Sequence, residues 1–117
     1  MSDPVVPDQE ILDPTQELKV MAADLRAAIQ EFATTARQHF PEELAGNLGH
    51  KLTKNMVAAL NALFSIEELL ERRPKRCRKV LIKAQKRLEG LPDGELLDIH
   101  KGLKRARKAL EKVNDWK

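Results

Sequence analysis

The sequence predicts an all-α fold, an antiparallel up-down-up-down four-helix bundle, and three observations carry that prediction. Among 117 residues, 42% are hydrophobic but only 3% aromatic, with three Phe, one Trp and no Tyr. Leu and Ala dominate the apolar set. Together with Glu, Lys and Arg they make the composition of packed amphipathic helices, whereas sheets favour Val, Ile, Thr and aromatics. Along four stretches apolar residues recur at spacings of three and four, with Pro or Gly turns between them. The length is that of one domain, since independent cores need on the order of 100 residues each. An immunoglobulin-like sandwich and a nucleotide-binding α/β domain are excluded by composition. A disulfide scaffold is excluded because Cys77 is the only cysteine.

Residues 1–12, with Pro4, Pro7 and three acids between small apolar groups, read as an extended or disordered arm. The bundle domain is expected over 13–117. Asp13-Pro14-Thr15-Gln16 has the form of a helix start, with Asp13 capping, Pro14 at the first helical position and Gln16 reaching back. The first helix then carries Leu18, Met21, Leu25, Ala28, Phe32 and Thr35, widened by Ile29, Ala33 and Ala36, and runs to about Gln38. Pro41 stops it, because a residue before proline avoids helical geometry. From Glu42 to Gly49 the pattern is ambiguous. A second seam follows in Leu52, Met56, Ala59, Leu63, Ile66 and Leu70, supported by Leu48, Leu60 and Phe64.

Pro74 opens the third helix, with Cys77, Leu81, Ala84, Leu88 and Leu91 as its seam. Gly90 suits a left-handed cap and Asp93 an N-cap across the turn 90–94. The fourth helix carries Leu96, Ile99, Leu103, Ala106, Leu110 and Val113, with Trp116 near its end. The first two helices are longer than the third. Such a mismatch leaves apolar surface uncovered, which self-association covers.

Formal net charge is only +3, but its distribution is uneven. Residues 1–71 hold 5 Lys/Arg and 12 Asp/Glu, a net −7, and residues 72–117 hold 16 and 6, a net +10. Between Arg72 and Arg87 lie nine cations and no acid: Arg72, Arg73, Lys75, Arg76, Arg78, Lys79, Lys83, Lys86 and Arg87. The fourth helix adds Lys101, Lys104, Arg105, Arg107, Lys108 and Lys112. In an antiparallel hairpin the third and fourth helices are neighbours, so their outward faces form one cationic surface. Repeated point charges and guanidinium forks suit a phosphate backbone, which makes RNA or DNA the expected partner. With no Tyr, and the Phe residues on seams or a turn, stacking platforms for bases are not expected. Binding should therefore be electrostatic, with weak sequence readout. A helical adaptor whose basic face meets an acidic protein is the competing reading.

Catalytic or metal chemistry finds little footing, and no cofactor is expected. His39, His50 and His100 have no companions at metal-ligand spacing and read as solvated surface residues. Glu67, Glu68 and Glu71 lack the Glu-x-x-His partner of a di-iron site and read as helix-surface pairing. Cys77 has cationic neighbours that favour a thiolate, but its seam position favours a buried, inert thiol. No segment approaches the ~20 apolar residues of a membrane span, and the acidic, Pro-rich start is unlike a secretory leader. A cytoplasmic protein with a reduced thiol is expected.

Several short motifs resemble one family. They are Leu18-Lys19-Val20, Phe40-Pro41, Leu48-Gly49-His50-Lys51-Leu52, the run Arg78-x-x-Leu81-x-x-Ala84, and the closing Val113-Asn114-Asp115-Trp116-Lys117. Together they resemble the bacterial four-helix bundle proteins that include the accessory variability determinant of diversity-generating retroelements and the proteins of ribosomal RNA intervening sequences. The last two motifs look closer to the accessory-determinant branch. That resemblance implies a homopentameric ring with a basic surface, without enzymatic activity. Its implied role is to bind nucleic acid and a reverse transcriptase during mutagenic retrohoming. The ribosomal intervening-sequence type is the alternative it implies.

Overall fold

Proline is rigid in φ and lacks an amide hydrogen, so it suits the start of a helix and nothing within one. The computed structural model, which describes residues 14–89 and 95–116, uses it that way three times. Pro14 begins α1 (Pro14–His39), Pro41 begins the single turn α2 (Pro41–Leu44), and Pro74 begins α4 (Pro74–Leu88). Between them lies α3 (Asn47–Glu68). The chain closes with α5 (Leu96–Leu110) and a 3-10 segment, Glu111–Trp116. No strand occurs among the described residues. The expected arm 1–12, the Asp13 cap and the turn 90–94 with Leu91 lie outside them. The N-cap of α5 is Glu95, whose amide donates to the Asp98 carboxylate at 3.3 Å, and not Asp93.

The ambiguous stretch 42–49 resolves into α2 and the start of α3. Gly49 is buried where the first turn of α3 crosses the last residue of α2, and a methyl on its Cα would run into the Leu44 carbonyl. Only glycine permits so close a backbone approach.

One apolar core joins the long helices. Leu18, Ala22, Leu25, Ile29, Phe32 and Ala36 supply it from α1, and Leu52, Ala59, Ala62, Leu63 and Ile66 from α3. From α4 come Cys77, Val80, Leu81, Ala84 and Leu88, and from α5 Leu96, Ile99, Leu103, Ala106, Ala109 and Leu110. Full burial of a Leu or Ile stabilises by about 1.5–3 kcal/mol each.

The expected seams need correction in phase, not in kind. On α1 the buried stripe passes through Ala22, Ile29 and Ala36. Met21, Ala28 and Thr35 are only half-buried and line the depression between α1 and α4. On α3, Phe64 is 56% exposed and lies beneath the Arg26 guanidinium, 5.4 Å away, instead of supporting the core. On the fourth seam every expected position from Leu96 to Val113 is buried.

The helices pair as two hairpins. α1 and α3 are antiparallel, tied by the Arg26–Glu67 ion pair, and α2 closes on the start of α3 at the Leu44–Gly49 approach. α4 and α5 form the other hairpin, and α5 packs extensively on both α3 and α4. α1 lies along α4 in the same direction: Arg78 donates to Glu17 at 3.0 Å, and farther along Phe32 and Leu88 line one depression. Consecutive α3 and α4 meet mainly through their tight turn, and each packs on both α1 and α5. α4 and α5 have 15 residues each, against 26 in α1 and 22 in α3.

Candidate nucleic-acid interface

Apolar positions on α4 and α5 point to α1 and α3, so the polar positions of the same hairpin must face away. On α4 the cations at Arg76, Lys79, Lys83 and Arg87 are three or four residues apart, which puts them on one face. On α5 and its 3-10 extension, Arg105, Lys108 and Lys112 do the same. Antiparallel pairing sets these faces side by side. They line two adjoining depressions of about 260 and 280 Å³ that share Lys83, Ala109 and Lys112. The floor is Val80 and Ala109, with Trp116 at one end, and no acidic side chain contributes to either. Each volume falls just below the roughly 300 Å³ at which small-molecule pockets begin, and the openings are shallow. The feature is a groove suited to an extended polyanion.

Of the fifteen cations singled out in the sequence, these seven converge: Arg76, Lys79, Lys83, Arg87, Arg105, Lys108 and Lys112. The remaining eight do not line the groove. Arg78 points toward α1 and pairs with Glu17, holding that carboxyl below its ordinary pKa and its own guanidinium above. Arg107 is partly buried and pairs with Glu111 one turn on, at 3.2 Å. Lys101 and Lys104 lie near His100 together with Lys51 of α3. Lys75 and Lys86 are exposed elsewhere on α4, and Arg72 and Arg73 are exposed in the turn before it.

The start of α4 is locally unfavourable. Arg73 at the N-cap makes no side-chain cap, no acid occupies the first turn, and Lys75 and Arg76 stand there instead. Cations at a helix N-terminus oppose the macrodipole, each at about 0.3–1 kcal/mol. Departures of this kind mark positions retained for something other than stability.

Two other expectations change. His100 is half-buried rather than solvated. Burial, and then the fields of Lys104, Lys51 and Lys101, hold its pKa below the ordinary value. A neutral ring accepts a hydrogen bond at Nδ1 from the Asn55 amide, 3.2 Å away, joining α3 to α5. Trp116 is the base-stacking candidate that the aromatic inventory passed over. Trp116 follows Lys112 in the 3-10 segment and lines the second depression with it.

Cys77 is buried on the core side with its thiol toward the Ile66 carbonyl at 3.7 Å, and burial pushes its pKa up. Glu67 pairs across to Arg26 on α1. Among the described residues no three His, Cys, Asp or Glu side chains gather as metal ligands, and no helix is long and apolar enough to cross a membrane. A separate depression of about 310 Å³ between α1 and α4 has an apolar floor of Met21, Leu25, Phe32 and Leu88, with Asp24, Glu31 and Glu89 among its lining residues. Compared with protein-family models, curated proteins and solved structures, the chain matches none.

Proposed function

We propose that this chain is a non-enzymatic nucleic-acid-binding protein that grips the phosphate backbone of RNA or DNA in the α4/α5 groove. One observation carries the proposal: seven cations from two helices converge on a groove that no acid lines. Polyphosphate binding needs such a row, because each neutralised phosphate releases a condensed counterion and the gains accumulate along the strand.

The two hairpins are proposed to form a four-helix bundle unit, with the α1/α3 hairpin serving as the partner-facing side. The sequence resemblance extends the proposal to an accessory protein of a diversity-generating retroelement. In that role a ring of copies, five by the resemblance, presents nucleic acid to a reverse transcriptase in the cytoplasm. A ring would multiply weak protomer contacts into high avidity.

Charge reversal at Lys79 and Lys83 tests the binding reading. The double variant K79E/K83E is expected to lose at least tenfold in affinity for a generic RNA and a duplex DNA at low salt, with helical circular dichroism unchanged. Wild-type affinity should also fall steeply with salt, with a log–log slope approaching about −6 on duplex DNA if all seven cations engage phosphates. Equal affinities for variant and wild type, or a flat salt dependence, would overturn it. Binding only to an acidic protein would favour the adaptor reading.

A further inference from the structure

The groove has one end unlike the rest. Along about 16 Å of α4, from Arg76 to Arg87, its walls are cationic side chains. At the Arg76 end the wall is the half-buried indole of Trp116, with the Arg76 guanidinium over the ring at 6.0 Å from its centre. The guanidinium thus covers the indole face, and Arg76 is an exposed, long side chain that can swing aside to admit a base. Both groups favour a nucleobase: indole by π-stacking, guanidinium by its planar, delocalised charge. Val80 and Ala109 beneath present no polar group that would select one base edge over another.

We propose that Arg76 and Trp116 form a base-stacking slot at the end of the phosphate groove, and that the ligand is single-stranded nucleic acid with an unpaired base seated there. The inference rests on the nucleic-acid reading above and deepens it. A paired base is already stacked within its duplex and cannot enter without melting, so the slot discriminates single strands from duplexes. It does so without reading sequence, because every base offers a π-face.

Trp116 is the only tryptophan and the chain has no tyrosine, so its intrinsic fluorescence reports on the slot alone. The test titrates the full chain with an unlabelled 12-nucleotide uridine strand, an abasic 12-mer of the same charge and a 12-base-pair duplex. Affinities are measured in parallel by competition. The uridine strand should quench Trp116 and bind roughly 5- to 30-fold tighter than the abasic strand. Trp116→Leu should remove that advantage, while Trp116→Phe, which keeps both packing and a ring, should retain most of it. Arg76→Lys should leave abasic binding nearly unchanged but shrink the preference for bases. Equal affinity for uridine and abasic strands, or an unquenched Trp116 on saturation, overturns the slot and leaves phosphate binding intact. Binding to none of the three probes overturns both readings.

Discussion

The α1/α3 hairpin and the α4/α5 hairpin bury the same kind of apolar seam, yet treat their charges in opposite ways. In the first, Arg26 meets Glu67 and covers Phe64, and Gly49 lets two backbones close on each other. In the second, Arg76, Lys79, Lys83, Arg87, Arg105, Lys108 and Lys112 crowd one another along a groove without an acid in its lining. Like charges at i,i+4 destabilise a helix by about 0.2–0.5 kcal/mol per pair, and α4 holds three such pairs in Lys75–Lys79, Lys79–Lys83 and Lys83–Arg87. One hairpin is arranged for stability, while the other gives up some stability to keep its field. That difference separates the residues that hold the fold from those that present the site.

Substitutions at the two hairpins should therefore have different readouts. The largest effect is expected in the first. Gly49→Ala forces a methyl against the Leu44 backbone and should cost more than about 4 kcal/mol, seen as a collapsed urea midpoint. A midpoint within 1 kcal/mol of wild type by that measure would mean that the α2/α3 junction does not need its close approach.

A smaller effect of opposite sign is expected in the second hairpin. Lys83→Glu turns two repulsive i,i+4 pairs into attractive ones and should stabilise the protein by about 0.5–1 kcal/mol at low salt, fading as salt rises. Loss of stability on removing this cation would show that Lys83 supports the fold, and the contrast between hairpins would fail.

The smallest effect belongs to the junction between the hairpins. His100 has a folded pKa below its unfolded value, so the native ring resists a proton that the unfolded chain accepts. Stability should thus be full above pH about 6.5 and decline as the pH falls from there toward the lowered folded value. His100→Gln, whose amide oxygen still accepts from Asn55, should flatten this slope in urea titrations between pH 7.5 and 5.5. An unchanged slope would remove His100 as its source.

Much of this was legible in one dimension. Heptad spacing located the four long helices, because an apolar stripe at 3.6-residue period has few other ways to leave water. Proline marked the helix starts at Pro14 and Pro74 and the stop before Pro41, each for a steric reason local to the chain, but the short helix that Pro41 begins was not read. The basic run from Arg72 to Arg87 and its companion on the last helix were equally plain, since charge is additive along a sequence. What periodicity cannot specify is rotation about a helix axis. Ala22 rather than Met21 faces the core, and Phe64 faces Arg26 and solvent, because those choices depend on which neighbour lies alongside.

By itself, the sequence determined helices, a single core seam on each and a polarised charge. Only the tertiary structure decided which cations act together. Antiparallel docking of α4 on α5 gathered seven of fifteen into one groove, while packing of α4 along α1 turned Arg78 toward Glu17. It also carried Trp116 from the chain's end to beneath Arg76, a contact between residues forty positions apart. The physical reason is common to both: the hydrophobic effect is non-directional and can be read as a pattern. A groove depends on the register between two surfaces, and that exists only once they pack.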